Sequence, residues 1–435
     1  MRDTFAKRGM RIFRMAAIGC LALAMTGGLF AQELKFDGYV NSGLGIVSTD
    51  KKVVDGDGTK TADSQVYAFG VNSEQPGYRF RLNGSYTNSD GNAGAKFRFQ
   101  AQSKFDLGAF SLPYAYGWVS FLNSIFTVNG GLVDNGTWES GGALLNEDAG
   151  EGLGALLKIS PVEGLDLGTG VYVISQQGGG DNSILKVPQG LAVENPARDF
   201  SKISIGLNRL KYTFNAAYTA TDIFKATVSF RTKNQAGDEI SRFADSADEV
   251  FTGREESSRM IVGLRLLAVK DLTAVVEADI DRLEDYGNKG VLNIYETIGY
   301  KLGNLRFGLN AAEYISRVEK SDLGLHFNPW LSYTIGLFVP RLDLNYFLAD
   351  TQNAVGAKYH RKVFSYKSNG ADTKDLSVFA IRPSVTFNID SRTFVEIGDL
   401  IALENGPEGA FADAADPNKS SQFTNVFYID FKWSF

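Results

Sequence analysis

The last fourteen residues alternate in character and end on an aromatic. Reading back from the C-terminus, Phe435, Trp433, Phe431, Ile429 and Phe427 share one face, while Ser434, Lys432, Asp430 and Tyr428 share the other. A strand has period two, so this segment reads as one strand with an oily side and a polar, charged side. Charges in the middle of the polar face, beside apolar residues that run to the terminal carboxylate, suit lipid on one side and water on the other. Such a strand cannot cross a membrane alone, because lipid cannot hydrogen-bond its open edges.

The same alternation recurs along the chain. Leu34, Phe36, Gly38 and Val40 alternate with Lys35, Asp37, Tyr39 and Asn41; Tyr78, Phe80, Leu82, Gly84 and Tyr86 with Arg79, Arg81, Asn83 and Ser85. Ala95, Phe97, Phe99 and Ala101 alternate with Lys96, Arg98, Gln100 and Gln102; Leu272, Ala274, Val276, Ala278 and Ile280 with Thr273, Val275, Glu277, Asp279 and Asp281. Leu342, Leu344 and Tyr346 alternate with Arg341, Asp343 and Asn345. Tight turns are expected at Ser89-Asp90-Gly91, Asn123-Ser124, 161–164, Lys270-Asp271, Gly303-Asn304, Pro340-Arg341 and Asp390-Ser391. Between them lie long polar stretches at 49–64, 133–150, 176–200, 233–257, 350–374 and 403–421.

Short turns at one end and long loops at the other imply an all-β fold: a transmembrane, antiparallel, up-and-down β-barrel. The pattern places strands near 34–48, 65–87, 93–103, 113–122, 125–132, 152–160, 165–175, 201–218, 224–232, 258–269, 272–283, 290–301, 305–316, 325–338, 341–349, 375–389, 393–402 and 422–435. That makes about eighteen strands, with sixteen the next choice. In 201–218 the apolar phase slips between Leu207 and Leu210, which reads as a bulge at Asn208-Arg209. A barrel of this size is too wide for wall side chains to fill, so its bore is expected to hold water. Closure requires the strand near Leu34 to pair with the one ending at Phe435.

Composition agrees. Past residue 31 there is no run of eighteen apolar residues, which excludes helical spans. The chain has 47 Gly, 31 Phe and 18 Tyr but only 2 His. At the N-terminus, Arg2, Lys7, Arg8, Arg11 and Arg14 precede an apolar stretch from Met15 to Phe30, and Leu29-Phe30-Ala31 before Gln32 suits a cleavage site. Residues 1–31 thus read as a secretory signal peptide and 32–435 as the barrel domain. A lipoprotein reading of Cys20 is disfavoured, because the apolar run continues past it. Cys20 is the one cysteine, so the remainder uses no disulfide. Without residues 1–31 the chain has 39 Lys+Arg against 49 Asp+Glu, a formal charge of −10. No basic patch for nucleic acid is present.

Two segments carry a family resemblance. The terminal strand, with Phe431, Trp433 and Phe435, resembles the C-terminal assembly signal of bacterial outer-membrane barrels. Residues 116–132 resemble the hairpin of general porins of Gram-negative bacteria. In that family a Tyr/Gly-rich strand, a tight turn and a strand bearing Phe and Thr precede the loop that folds into the pore. Here Tyr116, Gly117 and Trp118 lead into Asn123-Ser124, followed by Phe126, Thr127, Gly130 and Gly131; Ser124-Ile125 stands where the family has Gly before the Phe. The whole chain, 218–233 included, is also similar in style to spirochaete outer-membrane proteins.

The resemblance implies that the loop after Leu132 is the pore constriction, with Asp134, Glu139, Glu147, Asp148 and Glu151. No Lys or Arg lies between Val133 and Gly152, so cations would be favoured. Arg79, Arg81, Lys96 and Arg98, on adjacent strands, would form a basic wall across the lumen and set a transverse field. The expected function is passive diffusion of small hydrophilic solutes and ions, with a weak cation preference. The alternative is a barrel whose long loops act as a surface adhesin or bind ligands. Expected partners are outer-membrane lipid, the permeating solutes and ions, the barrel-assembly machinery, and further copies of the chain in a homotrimer.

Other chemistry finds little support. His326 and His360 have no neighbouring nucleophile motif and no metal spacing, so no enzyme activity, cofactor or metal is expected. Asp55-Gly56-Asp57-Gly58 opens like a calcium loop, but Lys60 and Val66 stand where Gly and the bidentate Glu are needed. Gly178-Gly179-Gly180 and the glycines at 150, 152 and 154 precede no helix and so are not phosphate loops. No plug domain precedes the strands, which argues against a TonB-type receptor.

Overall fold

A computed structural model describes residues 31–54, 60–68, 78–103, 110–133, 152–174, 210–233, 257–316, 322–349, 376–413 and 415–435. Nineteen strands form one antiparallel sheet. They are β1 (Ala31–Val54), β2 (Lys60–Ala68), β3 (Tyr78–Asn88), β4 (Ala93–Ser103), β5 (Phe110–Phe121), β6 (Phe126–Val133), β7 (Gly152–Val162), β8 (Leu165–Ile174), β9 (Lys211–Ala220) and β10 (Phe224–Arg231). They continue with β11 (Arg259–Leu266), β12 (Leu272–Asp281), β13 (Val291–Leu302), β14 (Leu305–Ser316), β15 (Asp322–Tyr333), β16 (Phe338–Ala349), β17 (Leu376–Asn388), β18 (Thr393–Asn405) and β19 (Ser421–Ser434).

β1 closes the cylinder. One of its edges pairs with β19 from Tyr39↔Ser434 to Thr49↔Thr424. The other pairs with β3 over its first half and with β2 over its second. β2 leaves β1 opposite Leu44 and β3 rejoins it opposite Asn41, so the two share one position around the wall. The result is a closed antiparallel barrel of eighteen staves. The last residue takes part: Gly38 N donates to Phe435 O at 3.1 Å, and Phe435 N donates to Gly38 O at 3.0 Å. Gly38 is needed here. A Cβ at this position would lie 2.1 Å from Arg81 O and 2.8 Å from Phe435 Cζ, so the terminal ring packs where a side chain would stand.

The two faces of each strand differ as the alternation requires, and in the inverse sense to a soluble protein. Leu44 is 62% exposed, Ile298 52% and Phe36 51%, all on the outside. Glu277, Asp430, Asn41 and Ser229 are fully covered on the inside. The reversal is what a lipid exterior and a polar interior demand. Arg81 and Asp279 both take inward positions. At the short-turn end, outward aromatics pair within three hairpins, Phe121 with Phe126 (5.4 Å between ring centres), Tyr218 with Phe224 (6.1 Å) and Tyr300 with Phe307 (6.2 Å), and between two neighbouring hairpins, Phe338 with Phe387 (5.0 Å). Rings at this level form the interfacial belt of a membrane barrel. Among the described residues no helix is long and apolar enough to cross a membrane.

Several boundaries differ from the sequence reading. The single strand expected at 65–87 is two, β2 and β3, and β1 and β2 extend into the 49–64 stretch expected as a loop, to Val54 and from Lys60. The turn expected at Pro340-Arg341 lies four residues earlier. Ile335 and Phe338 exchange both backbone hydrogen bonds around Gly336 (φ +58°) and Leu337, and Pro340 stands inside β16 opposite Val385. Proline marks a turn where every strand N–H is needed. Here the strand prolines coincide with gaps in the ladders: β15 and β16 skip Asn328 and Pro329, and β17 and β18 skip Arg382 and Pro383. At Pro329 the side chain of Asn328 compensates, its Nδ2 donating to Leu344 O at 3.1 Å. The strand expected at 201–218 is described from Lys211 and continues to Ala220, with its turn at Thr221 to Ile223. The bulge expected at Asn208-Arg209 lies outside the described residues.

Candidate functional site

The site is the inner wall. β3 and β4 are joined by a tight turn in which Asn88 Oδ1 accepts from the backbone N–H of Asn92 (3.0 Å) and Ala93 (3.1 Å). Their register places Arg81 opposite Gln100, Arg98 opposite Asn83 and Lys96 opposite Ser85. The four predicted basic residues, Arg79, Arg81, Lys96 and Arg98, therefore share one inward patch. Arg81 donates to Gln100 Oε1 through Nε (3.0 Å) and a terminal nitrogen (2.7 Å), and Arg98 Nε donates to Asn83 Oδ1 at 2.8 Å. Asn83 in turn donates to Asp37 at 2.5 Å.

Aromatic rings extend the patch. Arg81 lies 5.3 Å and Lys432 4.8 Å from the centre of the Tyr39 ring, and Arg98 lies 4.7 Å from that of Tyr114. The rings hold the cations in fixed positions. Tyr39, Tyr114, Lys432 and Gln100 were not in the predicted set. Their polar-face parity carried the signal, but only the strand order brings them together.

Around β11 to β19 the wall alternates in sign. Arg259 grips both oxygens of Asp279 at 2.8 Å. Asp343 accepts from Arg341 (2.7 and 2.8 Å) and from Arg382 (3.1 Å), and the Arg341 guanidinium lies over Trp330. A chain of side-chain hydrogen bonds crosses the strands to reach it. Thr297 donates to Asn310 (3.0 Å), Asn310 to Asn328 (3.0 Å), and Asn328 to Asp343 (3.3 Å). His326 belongs to this region: its ring contacts Asn345 Oδ1 at 3.3 Å and meets Phe347 edge-on. Tyr428 donates to Glu396 at 2.8 Å.

The predicted constriction residues Asp134, Glu139, Glu147, Asp148 and Glu151 lie outside the described residues, as does His360. The described strands fix where their loop begins and ends: Val133 and Gly152 are paired at the long-loop end of β6 and β7. Phe431, Trp433 and Phe435 take outward positions at the closing seam, and Trp433 is 45% exposed.

One part of the wall was not anticipated. Val378, Ala380, Leu400, Ala402, Val426 and Phe347, all inward, form a buried apolar cluster with Phe411 from the β18–β19 connection.

No protein-family model matches the chain, and no curated protein sequence matches it. Solved barrels are similar in outline. A mutant of the Rh. blastica porin is 12% identical with a TM-score of 0.40, covering 93% of this chain and all of that one. Pseudomonas aeruginosa OpdQ is 9% identical with a TM-score of 0.44, covering 92% and 98%. A loop-deletion mutant of the Vibrio cholerae outer-membrane protein OmpT is 11% identical with a TM-score of 0.43, covering 93% and 99%.

Proposed function

We propose that the protein is a channel of the bacterial outer membrane through which small hydrophilic solutes and ions diffuse passively. One observation carries the reading: a closed eighteen-stave cylinder with apolar residues outside and charged side chains lining the inside. A wall of this circumference encloses more space than its own side chains fill. The proposed route to the membrane is export through the cleaved segment 1–31, with Phe431, Trp433 and Phe435 read by the assembly machinery. Assembly into homotrimers belongs to the same proposal.

Charge selectivity is the balance of two contributions. The acidic residues Asp134, Glu139, Glu147, Asp148 and Glu151 favour cations and support the weak cation preference. The described inner wall carries more Lys and Arg than Asp and Glu, with its densest patch at Arg79, Arg81, Lys96 and Arg98, and this opposes the loop. The test is reconstitution in planar bilayers under a KCl gradient. Stable open steps are expected, with a reversal potential that moves toward anions when Glu139, Glu147 and Asp148 are neutralised. Replacing Arg79, Arg81 and Arg98 by Gln moves it the other way. A folded protein that stays silent rejects the channel and leaves the reading as a surface adhesin.

A further inference from the structure

The inner wall abandons its polar pattern where β16 to β19 meet the long-loop rim. Val378 and Ala380 on β17, Leu400 and Ala402 on β18, Val426 on β19 and Phe347 on β16 face the bore and are buried together. Phe411 completes the cluster although it lies in no strand; it belongs to the 406–420 connection, with Ala410 packed beside it. Because these wall residues point inward, the ring that covers them is inside the cylinder. β18 ends at Asn405, while Ala402 and Leu400 sit three and five residues lower. At a rise of about 3.3 Å per residue the loop therefore reaches roughly 10–17 Å down the wall.

The loop is held in this position by more than its ring. Gly406 N donates to Ser420 O at 2.8 Å and Phe411 N donates to Lys419 O at 3.0 Å, so both limbs are tied together. The Asp413 carboxylate accepts from the backbone N–H of Ala415 (2.7 Å) and Asp416 (2.9 Å). Lys419 bridges Asp413 (3.6 Å) and Asp50 of β1 (2.9 Å), and Asp50 also accepts from Phe423 N at 3.0 Å. An apolar patch on a polar bore would be wetted if left open; covering it with an aromatic ring holds the loop inward.

We infer that the 406–420 loop is a standing narrowing of the outer mouth, held by Phe411, and that it limits the size of solute admitted. This rests on the channel reading, so the wild type is measured first. Two variants follow: residues 407–418 replaced by a short Gly/Ser linker, and Phe411→Ser. Both are checked for folding by heat-modifiable migration on gels. Single-channel conductance is expected to rise by roughly 1.3-fold or more with the linker, and larger neutral polyethylene glycols should enter the pore. Phe411→Ser should move both quantities the same way and raise open-channel noise. Wild-type conductance and size cut-off in folded variants overturn the inference; if the linker variant does not fold, Phe411→Ser decides alone. A silent wild type fails the channel reading instead. The loop's placement is then judged by trypsin on intact cells: Lys419 protected in the wild type and cut in Phe411→Ser supports it, and equal cutting of both overturns it.

Discussion

Replacing Gly38 tests the closure of the cylinder directly. In Gly38→Val the added Cβ would meet Arg81 O at 2.1 Å, a backbone atom that cannot swing away, and the Phe435 ring at 2.8 Å. Either β1 separates from β3, or the terminal residue is expelled and its two hydrogen bonds to Gly38 are lost. Overpacking of this kind costs about 1–3 kcal/mol. The two bonds add about 0.5–1.5 kcal/mol each. The larger penalty for bare backbone groups in lipid does not apply in full, because Phe435 lies at the short-turn end, where water is close. The stacking of Phe80 with Phe435, 6.4 Å between ring centres, is lost as well. A total of about 2–6 kcal/mol follows. Urea unfolding from lipid vesicles, read by gel migration and tryptophan fluorescence, measures it. Gly130→Ala is the control, since a Cβ there meets nothing within 4 Å. If Gly38→Val and Gly130→Ala unfold at the same urea concentration, the seam is not closed through Gly38 and Phe435.

Other substitutions test other parts of the wall. Glu296 faces outward in the middle of β13, in a trough lined by Ala274, Val276, Ile298 and Ala311, and makes no hydrogen bond or ion pair among the described residues. Glu296→Leu should stabilise the inserted barrel by about 1–2 kcal/mol in the same unfolding assay. Asp343→Ala leaves Arg341 and Arg382 facing each other and should destabilise by about 2–3 kcal/mol; adding Arg382→Met should recover part of that loss. In the connection after β12, burial pushes the Glu284 carboxyl up, but hydrogen bonds from the Ser258 hydroxyl and backbone outweigh it and hold the group below the usual carboxylate range. Its contribution is therefore present above the unfolded value of about 4.3 and lost as pH falls through the lower folded value. The protection factor of the Ser258 amide against hydrogen exchange should fall in that acid window and not near neutrality, and Glu284→Gln should lower it at all pH values.

The alternation of single strands was enough to give the barrel, its strand count and the facing of Arg79, Arg81, Lys96 and Arg98, because lipid allows one solution for a two-faced strand: closure. The same logic failed at Pro340. A turn signal was read from residue type, but the true turn at Gly336 is set by a left-handed backbone, and Pro340 sits in the strand with its ring outward. The wall networks were less legible. Thr297, Asn310, Asn328 and Asp343 are spread over some fifty residues of sequence, and nothing local to any of them names its neighbour; only the register joins them. The Phe411 cluster was the least legible. Leu400, Ala402 and Val378 break the polar parity of their strands, which looks like noise until a loop residue is found covering them.

Those departures from parity have a common physical reading. On the outer face lipid disfavours departures from the pattern: Asp399 is paired, accepting from Asn425 at 2.8 Å, and Glu296 is the departure whose removal should stabilise the barrel. On the inner face nothing enforces polarity uniformly. Water, another side chain or a folded loop can each satisfy a position. Where the partner is a side chain, as at Arg259 and Asp279, the wall is charged; where it is a loop, as under Phe411, the wall becomes apolar. Inward apolar residues that cluster with a residue of a connecting segment, as under Phe411, therefore mark where a loop lies against the bore, whereas those that cluster only with other strands, such as Leu156 with Ala217, are covered by the wall itself. If this distinction is sound, polar replacement of the loop-covered position Ala402 should release the 406–420 segment, while the same replacement at the inward Gly299, which lies beside the Trp330 ring and not under that loop, should leave that segment's protection from trypsin unchanged.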